Sequence, residues 1–254
     1  RSIPLDSPVA ISMKNVSFRY PTAVGRPVLH DINLDIHRGE TVAIIGATGC
    51  GKTSLVNMIP RFYDATEGEI LLKGKDIRSW SKDSLNKYVS LVPQKALLFS
   101  GTVRSNLLFG NANATEEQLW TALERAQAKE FVFKKKNGLD SEIEQSGLNL
   151  SGGQRQRLTI ARALVSDADI LILDDSSSAL DFATDAALRK ALKALPDGKT
   201  TFIISQRTSS IAHADKIIVL DDGATVGIGT HDELLSDCDI YREIYLSQFR
   251  REAE

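Results

Sequence analysis

The chain has 254 residues, enough for one large α/β domain with an inserted subdomain. Its apolar residues (42%) and charged residues (25%) are typical of a soluble globular protein, and a formal charge of −2 gives no support to a nucleic-acid partner. The two cysteines are too few for a disulfide framework, and no apolar run approaches the roughly 20 residues of a membrane-spanning helix.

An alternating apolar pattern occupies residues 9–36, interrupted by Pro21, Gly25 and Pro27. This pattern predicts a hairpin-like antiparallel region at the start of the fold. Tyr20 follows the first of its strands. It is either an ordinary strand-end tyrosine or an aromatic face for adenine.

A glycine-rich loop with the sequence GATGCGKT follows at residues 46–53. The apolar run before it predicts a buried strand, and the residues after it predict a helix. Strand, loop and helix in this order favour a phosphate-binding P-loop, in which glycines let backbone N–H groups surround the β-phosphate. Lys52 can reach the β- and γ-phosphates, and the Thr53 hydroxyl can ligate Mg²⁺. We therefore predict ATP contacts from Gly46, Thr48, Gly49, Cys50, Gly51, Lys52, Thr53 and Ser54.

The next segments alternate between predicted strands and a long middle section. Residues 68–74 and 88–92 predict short strands, the second ending before Gln94. From about residue 95 to 150 the strands are expected to stop, with one amphipathic helix over 116–129. We interpret this section as a helical insertion in an α/β core.

The sequence LSGGQ at residues 150–154 opens a helix. Ser151 is a plausible N-cap, and Gly152 and Gly153 leave the backbone accessible there. This stretch is either a plain capped helix start or a second phosphate-facing helix terminus.

Two further apolar runs predict parallel strands buried on both faces, at residues 170–173 and 201–205. The first ends in Asp174 and Asp175, and the second ends at Gln206. Ligands of α/β sheets bind at the carboxyl ends of strands, where one aspartate can hold Mg²⁺ and the other can polarise the attacking water. A hairpin over Asp221-Asp222-Gly223 and a helical C-terminus complete the chain.

Together these pieces resemble the ATP-binding-cassette (ABC) family over about residues 9–249. The most specific element is LSGGQRQR at residues 150–157, which matches the family signature and lies between a P-loop and a Walker B strand. The resemblance implies that Tyr20 stacks on adenine, and that Gln94 is the Q-loop residue and a Mg²⁺ ligand beside Thr53 and Asp174. It implies that the residues binding a partner's ATP are Leu150, Ser151, Gly152, Gly153 and Gln154. It also implies a D-loop made of Ser178, Ala179, Leu180 and Asp181.

The fold implied by the resemblance is a P-loop NTPase. We expect a single nucleotide-binding domain over residues 1–254, with a RecA-like core and an N-terminal antiparallel β subdomain over about 9–94 and 156–249. The helical subdomain is expected over about 95–155.

The segment 98–107 resembles exporters rather than importers, and exporter cassettes are fused to transmembrane helices. We therefore expect the chain, which lacks an initiator methionine, to come from a longer protein at the cytoplasmic face of the cell membrane. Its cofactors would be ATP and Mg²⁺. Its partners would be a transmembrane domain and a second cassette, with ATP held between the P-loop of one and the signature helix of the other. Two separate phosphate-directed helix starts in one chain are hard to use on a single nucleotide, which agrees with that arrangement.

Two positions depart from the family pattern, and both belong to the predicted catalytic set of Asp175, Gln206 and Lys52. A glutamate usually follows the Walker B aspartate, and Asp175 is one methylene shorter. Its carboxylate would fall about 1.5 Å back, and a misplacement of about 1 Å can cost on the order of 10²-fold in rate. A histidine usually occupies the position of Gln206, and glutamine carries neither a proton nor a positive charge to the γ-phosphate.

We therefore hypothesise that the chain is the degenerate half of a heterodimeric exporter. Its own site would bind ATP and turn it over slowly, and its intact signature would complete the active site of a partner. The alternatives are a homodimeric exporter cassette that uses Asp175 as base, and a nucleotide-gated regulatory module without productive hydrolysis.

Overall fold

The computed structural model describes residues 8–22, 24–176, 178–195 and 198–252, and side chains up to Gln248. Its strands are β1 Val9–Phe18, β2 Leu29–His37, β3 Thr41–Gly46, β4 Glu67–Leu72, β5 Lys75–Asp76, β6 Val89–Val92, β7 Gly101–Thr102, β8 Glu142–Ile143, β9 Ile170–Asp174, β10 Thr200–Ile204, β11 Lys216–Asp221 and β12 Ala224–Gly229. Its helices are α1 Lys52–Asn57, α2 Lys82–Tyr88, α3 Val103–Leu108, α4 Glu116–Arg125, α5 Lys129–Phe133, α6 Gly152–Val165, α7 Phe182–Lys193, α8 Thr208–Ile211, α9 His231–Asp237 and α10 Asp239–Glu252.

Two sheets organise the molecule. A six-stranded sheet has the order β12-β11-β3-β10-β9-β6, in which all neighbours are parallel except the antiparallel β11–β12 hairpin. A four-stranded antiparallel sheet has the order β2-β1-β4-β5. The predicted P-loop NTPase fold, with its parallel core and its N-terminal antiparallel region, is therefore confirmed.

The central strands are covered on both faces. Val42 and Ile44 of β3 point into the apolar cluster shared with the antiparallel sheet and α1, whereas Ala43 and Ile45 point into the cluster of the C-terminal helices. In β9 the same alternation sends Ile172 to the first cluster and Leu171 to the cluster of α3, α4 and α6. Continuous apolar runs are what such two-sided burial requires.

The middle section differs from the prediction in two places. Strands are present there after all, because Gly101–Thr102 pairs with Glu142–Ile143 in a two-residue antiparallel ladder. The helix predicted over 116–129 ends at Arg125, and α5 begins at Lys129. Gln127 has φ +59°, and the N–H of Ala128 donates to the carbonyl of Leu123, so a Schellman-type turn ends the helix without glycine.

The C-terminal segment is helical, as predicted, and forms the two helices α9 and α10; Tyr241 of α10 is fully buried against β3 and β11 residues. Across the described ranges, no helix combines the length and the apolarity that crossing a bilayer requires.

Candidate nucleotide site

A cavity of about 420 Å³ opens at the carboxyl edge of the six-stranded sheet. The loops that follow β3, β6, β9 and β10 converge there, as expected for ligand sites of parallel sheets. Its lining residues are Tyr20, Val28, Thr48, Gly49, Gly51, Lys52, Thr53, Ser54, Gln94, Asp174, Asp175, Ile204 and Gln206. Most of the residues that the sequence places around ATP therefore share one cavity.

The glycine-rich loop needs its glycines for two physical reasons. Gly51 has φ +104°, a conformation that other residues rarely adopt, and a Cβ there would lie 2.6 Å from Leu29 Cδ2. At Gly46 a Cβ would lie 2.3 Å from the Leu220 carbonyl oxygen. Gly46 and the buried Cys50 do not line the cavity; they support the loop from beneath.

Lys52 lies buried at the start of α1. Its amine donates to the carbonyl oxygens of Gly46 at 2.7 Å and Ala47 at 2.8 Å, and lies 3.8 Å from Cys50 Sγ. The loop therefore holds the positive charge at the floor of the cavity, where it can exchange carbonyl oxygens for phosphate oxygens.

The two aspartates at the end of β9 have different neighbours. Asp174 accepts a long hydrogen bond of 3.5 Å from the Thr53 hydroxyl, whereas Asp175 accepts one of 3.3 Å from the Gln94 amide. Asp175 has φ +44°, in the left-handed region that aspartate tolerates better than most residues, and its N–H donates to the Ile204 carbonyl. Gln94, the Asp174-Asp175 pair and Thr53 thus form one connected set.

Burial raises the pKa of both carboxyl groups. For Asp174 the Thr53 hydrogen bond and Lys52 oppose this effect, while the neighbouring Asp175 adds to it. For Asp175 the charge of Arg207, the Gln94 hydrogen bond and Lys52 oppose it. A carboxylate with a raised pKa is a better proton acceptor, which is the property a general base needs.

The predicted Mg²⁺ ligands fit that ion. Thr53, Gln94 and Asp174 offer oxygen atoms at the cavity, and Mg²⁺ binds through one or two carboxylates together with substrate phosphates rather than through a full protein cage. The described residues contain no group of three or more His, Cys, Asp or Glu side chains placed to hold a metal.

Tyr20 lies at the other end of the cavity, half-buried. Its hydroxyl is 2.8 Å from Ser54 Oγ, and its ring packs edge-on against Phe18 and Tyr63 with centroid distances of 4.8 and 5.2 Å. These contacts fix the ring beside Val28, a lining residue that the sequence did not indicate.

Beyond the cavity lining, the structure adds two further residues that sequence reasoning missed. Arg207 follows Gln206, and its guanidinium lies near Asp175 and the D-loop. Gln248 of α10 hydrogen-bonds to Gln206 and Thr208. An isolated cation directly after a site residue was a readable signal for Arg207, whereas Gln248 is 40 residues from its partner Thr208 and gave none.

The signature residues lie outside this cavity. Ser151 caps α6, accepting from the Gln154 N–H at 3.2 Å, while Gln154 Oε1 accepts from the Ser151 N–H at 3.1 Å. Within the described residues the N–H groups of Gly152 and Gly153 have no acceptor, and a Cβ at Gly152 would meet open space. Leu150 is buried beneath them. The second helix start therefore lies outside the cavity that the chain's own P-loop lines.

The predicted D-loop lies between the nucleotide cavity and the signature. Ser178, Ala179 and Asp181 are exposed, Leu180 is buried, and the Asp181 carboxylate caps α7 by accepting from the Thr184 N–H at 2.9 Å. A Cβ on Gly153 of the signature would lie 3.2 Å from the Ala179 carbonyl oxygen, so the two motifs adjoin at one surface.

Comparison with known proteins identifies the family. A family model described as "ABC transporter" matches residues 29–178, more than half of the chain. A Staphylococcus aureus (strain NCTC 8325 / PS 47) protein, named for multidrug export as an ATP-binding/permease protein, is 44% identical over 238 residues. YgaD of Bacillus subtilis (strain 168), named in the same way, is 41% identical over 238 residues.

A solved structure of a bacterial Atm1-family ABC exporter with ATP bound superposes with a TM-score of 0.90 at 34% identity, over 100% of this chain and 43% of that one. The alignments to the two named relatives cover 94% of this chain. The chain spans only 41% of the length of each of those relatives.

Proposed function

The chain belongs to the ABC transporter family, and on that premise we propose that it is the ATP-hydrolysing cassette of a multidrug-type exporter. It would act at the cytoplasmic face of the cell membrane, joined to a transmembrane domain. The observation that carries this proposal is the single cavity shared by the P-loop lysine, the Walker B aspartates and the Q-loop glutamine. The names of the relatives support the direction of transport and the class of substrate.

In its own site the chain would use four sets of residues, each with a separate role. The P-loop amides and Lys52 hold the β- and γ-phosphates of ATP, and Tyr20 stacks on the adenine ring. Thr53, Asp174 and Gln94 would hold Mg²⁺, which supplies positive charge against the phosphate oxygens. Asp175 orients the attacking water and accepts its proton, and Gln206 hydrogen-bonds to the γ-phosphate.

We further propose that this site is degenerate. Asp175 is one methylene shorter than the family's usual glutamate, and a misplacement of about 1 Å can cost about 10²-fold in rate. Gln206 supplies no positive charge where the family usually has histidine. Slow hydrolysis with ATP binding retained is the expected outcome.

The signature helix would then serve a second cassette. Its start lies outside the chain's own nucleotide cavity, and its glycine N–H groups, which have no acceptor among the described residues, together with the helix dipole suit the γ-phosphate of a nucleotide held by a partner. In a head-to-tail pair the adjoining D-loop would lie at the same interface. We propose that the partner is a different chain carrying the usual glutamate and histidine.

A homodimeric cassette is the second candidate, and one observation favours it. The pKa of Asp175 is raised by burial, which makes this carboxylate a better base than an exposed aspartate. In that case two copies of the chain would form two equivalent, competent sites.

Turnover of Mg-ATP alone and after mixing with a candidate partner cassette tests the proposal. We expect ATP binding with slow turnover alone, and at least about a tenfold gain on mixing that depends on the partner's P-loop lysine and on Ser151 of this chain. Failure to bind ATP would contradict the assignment as a cassette. Rapid turnover alone, with no gain on mixing, would favour the homodimer.

A further inference from the structure

The C-terminal helix α10 reaches the tip of β10 through one side chain, that of Gln248. Its Oε1 accepts from the Thr208 N–H at 2.8 Å and from the Thr208 hydroxyl at 2.9 Å, while its Nε2 donates to the Gln206 carbonyl oxygen. These three hydrogen bonds flank Arg207 on both sides. Gln248 therefore fixes the backbone from which the Arg207 side chain projects.

The Arg207 side chain connects this backbone to the D-loop. Its Nη1 donates to the Leu180 carbonyl oxygen at 3.3 Å and its Nη2 to the Ser178 carbonyl oxygen at 3.4 Å. The guanidinium lies 5.1 Å from the centroid of the Phe182 ring, at the start of α7. A planar fork that contacts two carbonyl oxygens and an aromatic face is specific to arginine, and lysine cannot reproduce it.

Backbone hydrogen bonds connect both β10 and the D-loop to Asp175, which lines the nucleotide cavity. The Asp175 N–H donates to the Ile204 carbonyl at 2.9 Å, and the Ser178 N–H donates to the Asp175 carbonyl at 3.3 Å. Gln206, whose carbonyl Gln248 holds, lines the cavity. The tip of β10, Asp175 and the D-loop thus form one hydrogen-bonded unit, and Gln248 secures this unit to α10.

We propose that Gln248 and Arg207 are positioning residues for ATP hydrolysis, through which helix α10 sets the placement of Asp175, Gln206 and the D-loop. Neither residue contacts the nucleotide in this scheme, so they act on turnover rather than on ATP affinity. The inference rests on the proposed ATPase function of this site. It assigns to the C-terminal helix a role in the rate of hydrolysis.

Five variants of the whole chain test the connection. Gln248→Leu removes all three hydrogen bonds at similar volume, whereas Gln248→Glu keeps the acceptor for Thr208 and loses the donor to Gln206. Arg207→Leu removes the fork, and Arg207→Lys keeps only the charge. Ser247→Ala is the control on the same helix, because among the described residues the Ser247 hydroxyl bonds only to the Ile244 carbonyl within α10.

The first measurement is amide hydrogen exchange of the nucleotide-free protein, read in peptides that cover residues 174–183 and 204–210. Gln248→Leu should speed exchange at least about fivefold in both segments, since the unit loses its attachment to α10. Arg207→Leu should do so mainly in residues 178–183. Gln248→Glu should give a smaller change than Gln248→Leu, and Ser247→Ala none. Faster exchange confined to α10, or no change, would overturn the inference.

The second measurement separates kcat from KM for Mg-ATP in the slow turnover of this chain's own site, with the chain alone or mixed with a partner cassette whose P-loop lysine is replaced. Gln248→Leu and Arg207→Leu should lower kcat about tenfold and change KM less than about threefold, because a displaced catalytic group lowers the rate without removing phosphate contacts. Loss of affinity with kcat intact would contradict a positioning role. If the wild type hydrolyses no ATP in any mixture, the proposed function fails, and the exchange data alone decide whether the connection exists.

Discussion

The helix starts at the P-loop and at the signature are built in opposite ways. At the P-loop the polar groups are sheltered and bound to one another: two loop carbonyls hold Lys52, and Gln94 contacts Asp175. At the signature, the side chains of Ser151 and Gln154 each accept from the other's N–H, and the N–H groups of Gly152 and Gly153 have no acceptor among the described residues. The P-loop region is therefore a cavity formed within this chain. The signature is a surface that, under the proposed function, a partner's nucleotide covers.

The two departures in the predicted catalytic set fall on one side of this division. Asp175 and Gln206 both line the cavity, whereas the signature keeps its serine cap and its glycines. Under the proposed function, the chain therefore hydrolyses ATP slowly in its own site while keeping the signature that a partner's site needs. Predictions that perturb one region and spare the other follow from this comparison.

The largest expected effect is on ATP binding by the P-loop. Lys52→Met removes the buried charge that would face the β- and γ-phosphates, so we expect the affinity for ATP to fall at least about 100-fold. A fluorescent ATP analogue titrated into the purified chain measures it. Lys136→Met, at an exposed position, is the control and should change the affinity for ATP less than about twofold. Unchanged affinity in Lys52→Met would remove the P-loop from the site.

The next effect separates the signature from a plain helix cap. Ser151→Ala and Ser81→Ala each remove a side-chain cap, of α6 and α2, and should each lower the free energy of unfolding by about 1 kcal/mol. Only Ser151→Ala should also lower turnover in the mixture with a partner cassette, by about tenfold, because under the proposed function its hydroxyl would face the partner's nucleotide. ATP affinity of this chain alone should stay within about twofold. Equal losses of turnover in both variants would reduce the signature to a structural cap.

A smaller effect concerns the adenine end of the cavity. Tyr20→Ala removes the ring and should weaken ATP binding about fivefold to tenfold, since stacking of a base on an aromatic side chain contributes about 1 kcal/mol or more. Tyr20→Phe loses only the hydroxyl contact to Ser54 and should bind ATP within about twofold of wild type. If Phe weakens binding as much as Ala, the hydroxyl rather than the ring is the recognition element. GTP titrated in parallel reports whether the stacking discriminates between purines.

Much of the fold was readable because its signals are local. The P-loop, the apolar runs of β9 and β10 and the hairpin after β11 all appear where the sequence predicts them. The ladder between β7 and β8 was missed because two-residue strands show no periodicity. The end of α4 was missed because Gln127 adopts a left-handed conformation in which glycine is the usual residue.

The motif residues of the site could be predicted from the sequence, but the residues that pack against them or position them could not. Residues within the glycine-rich loop and the Asp174-Asp175 pair announce phosphate and Mg²⁺ chemistry by type and spacing. Val28 and Gln248 come from distant segments with ordinary composition, and only the packed chain brings them to the cavity or to the loop behind it. Arg207 lies next to a predicted residue, yet its partners in the D-loop are 27 and 29 residues away.

The measurement that tests the central claim most directly is Mg-ATP turnover of the wild type against the double variant Asp175→Glu/Gln206→His. Residue 175 has φ +44°, where glutamate is less favoured than aspartate, so a thermal unfolding curve should accompany the assay. We predict that the wild type binds ATP with little turnover and that the double variant, still folded, gains at least about tenfold in rate. A wild type that already turns over well, with no gain in the folded double variant, would contradict the account of a degenerate site.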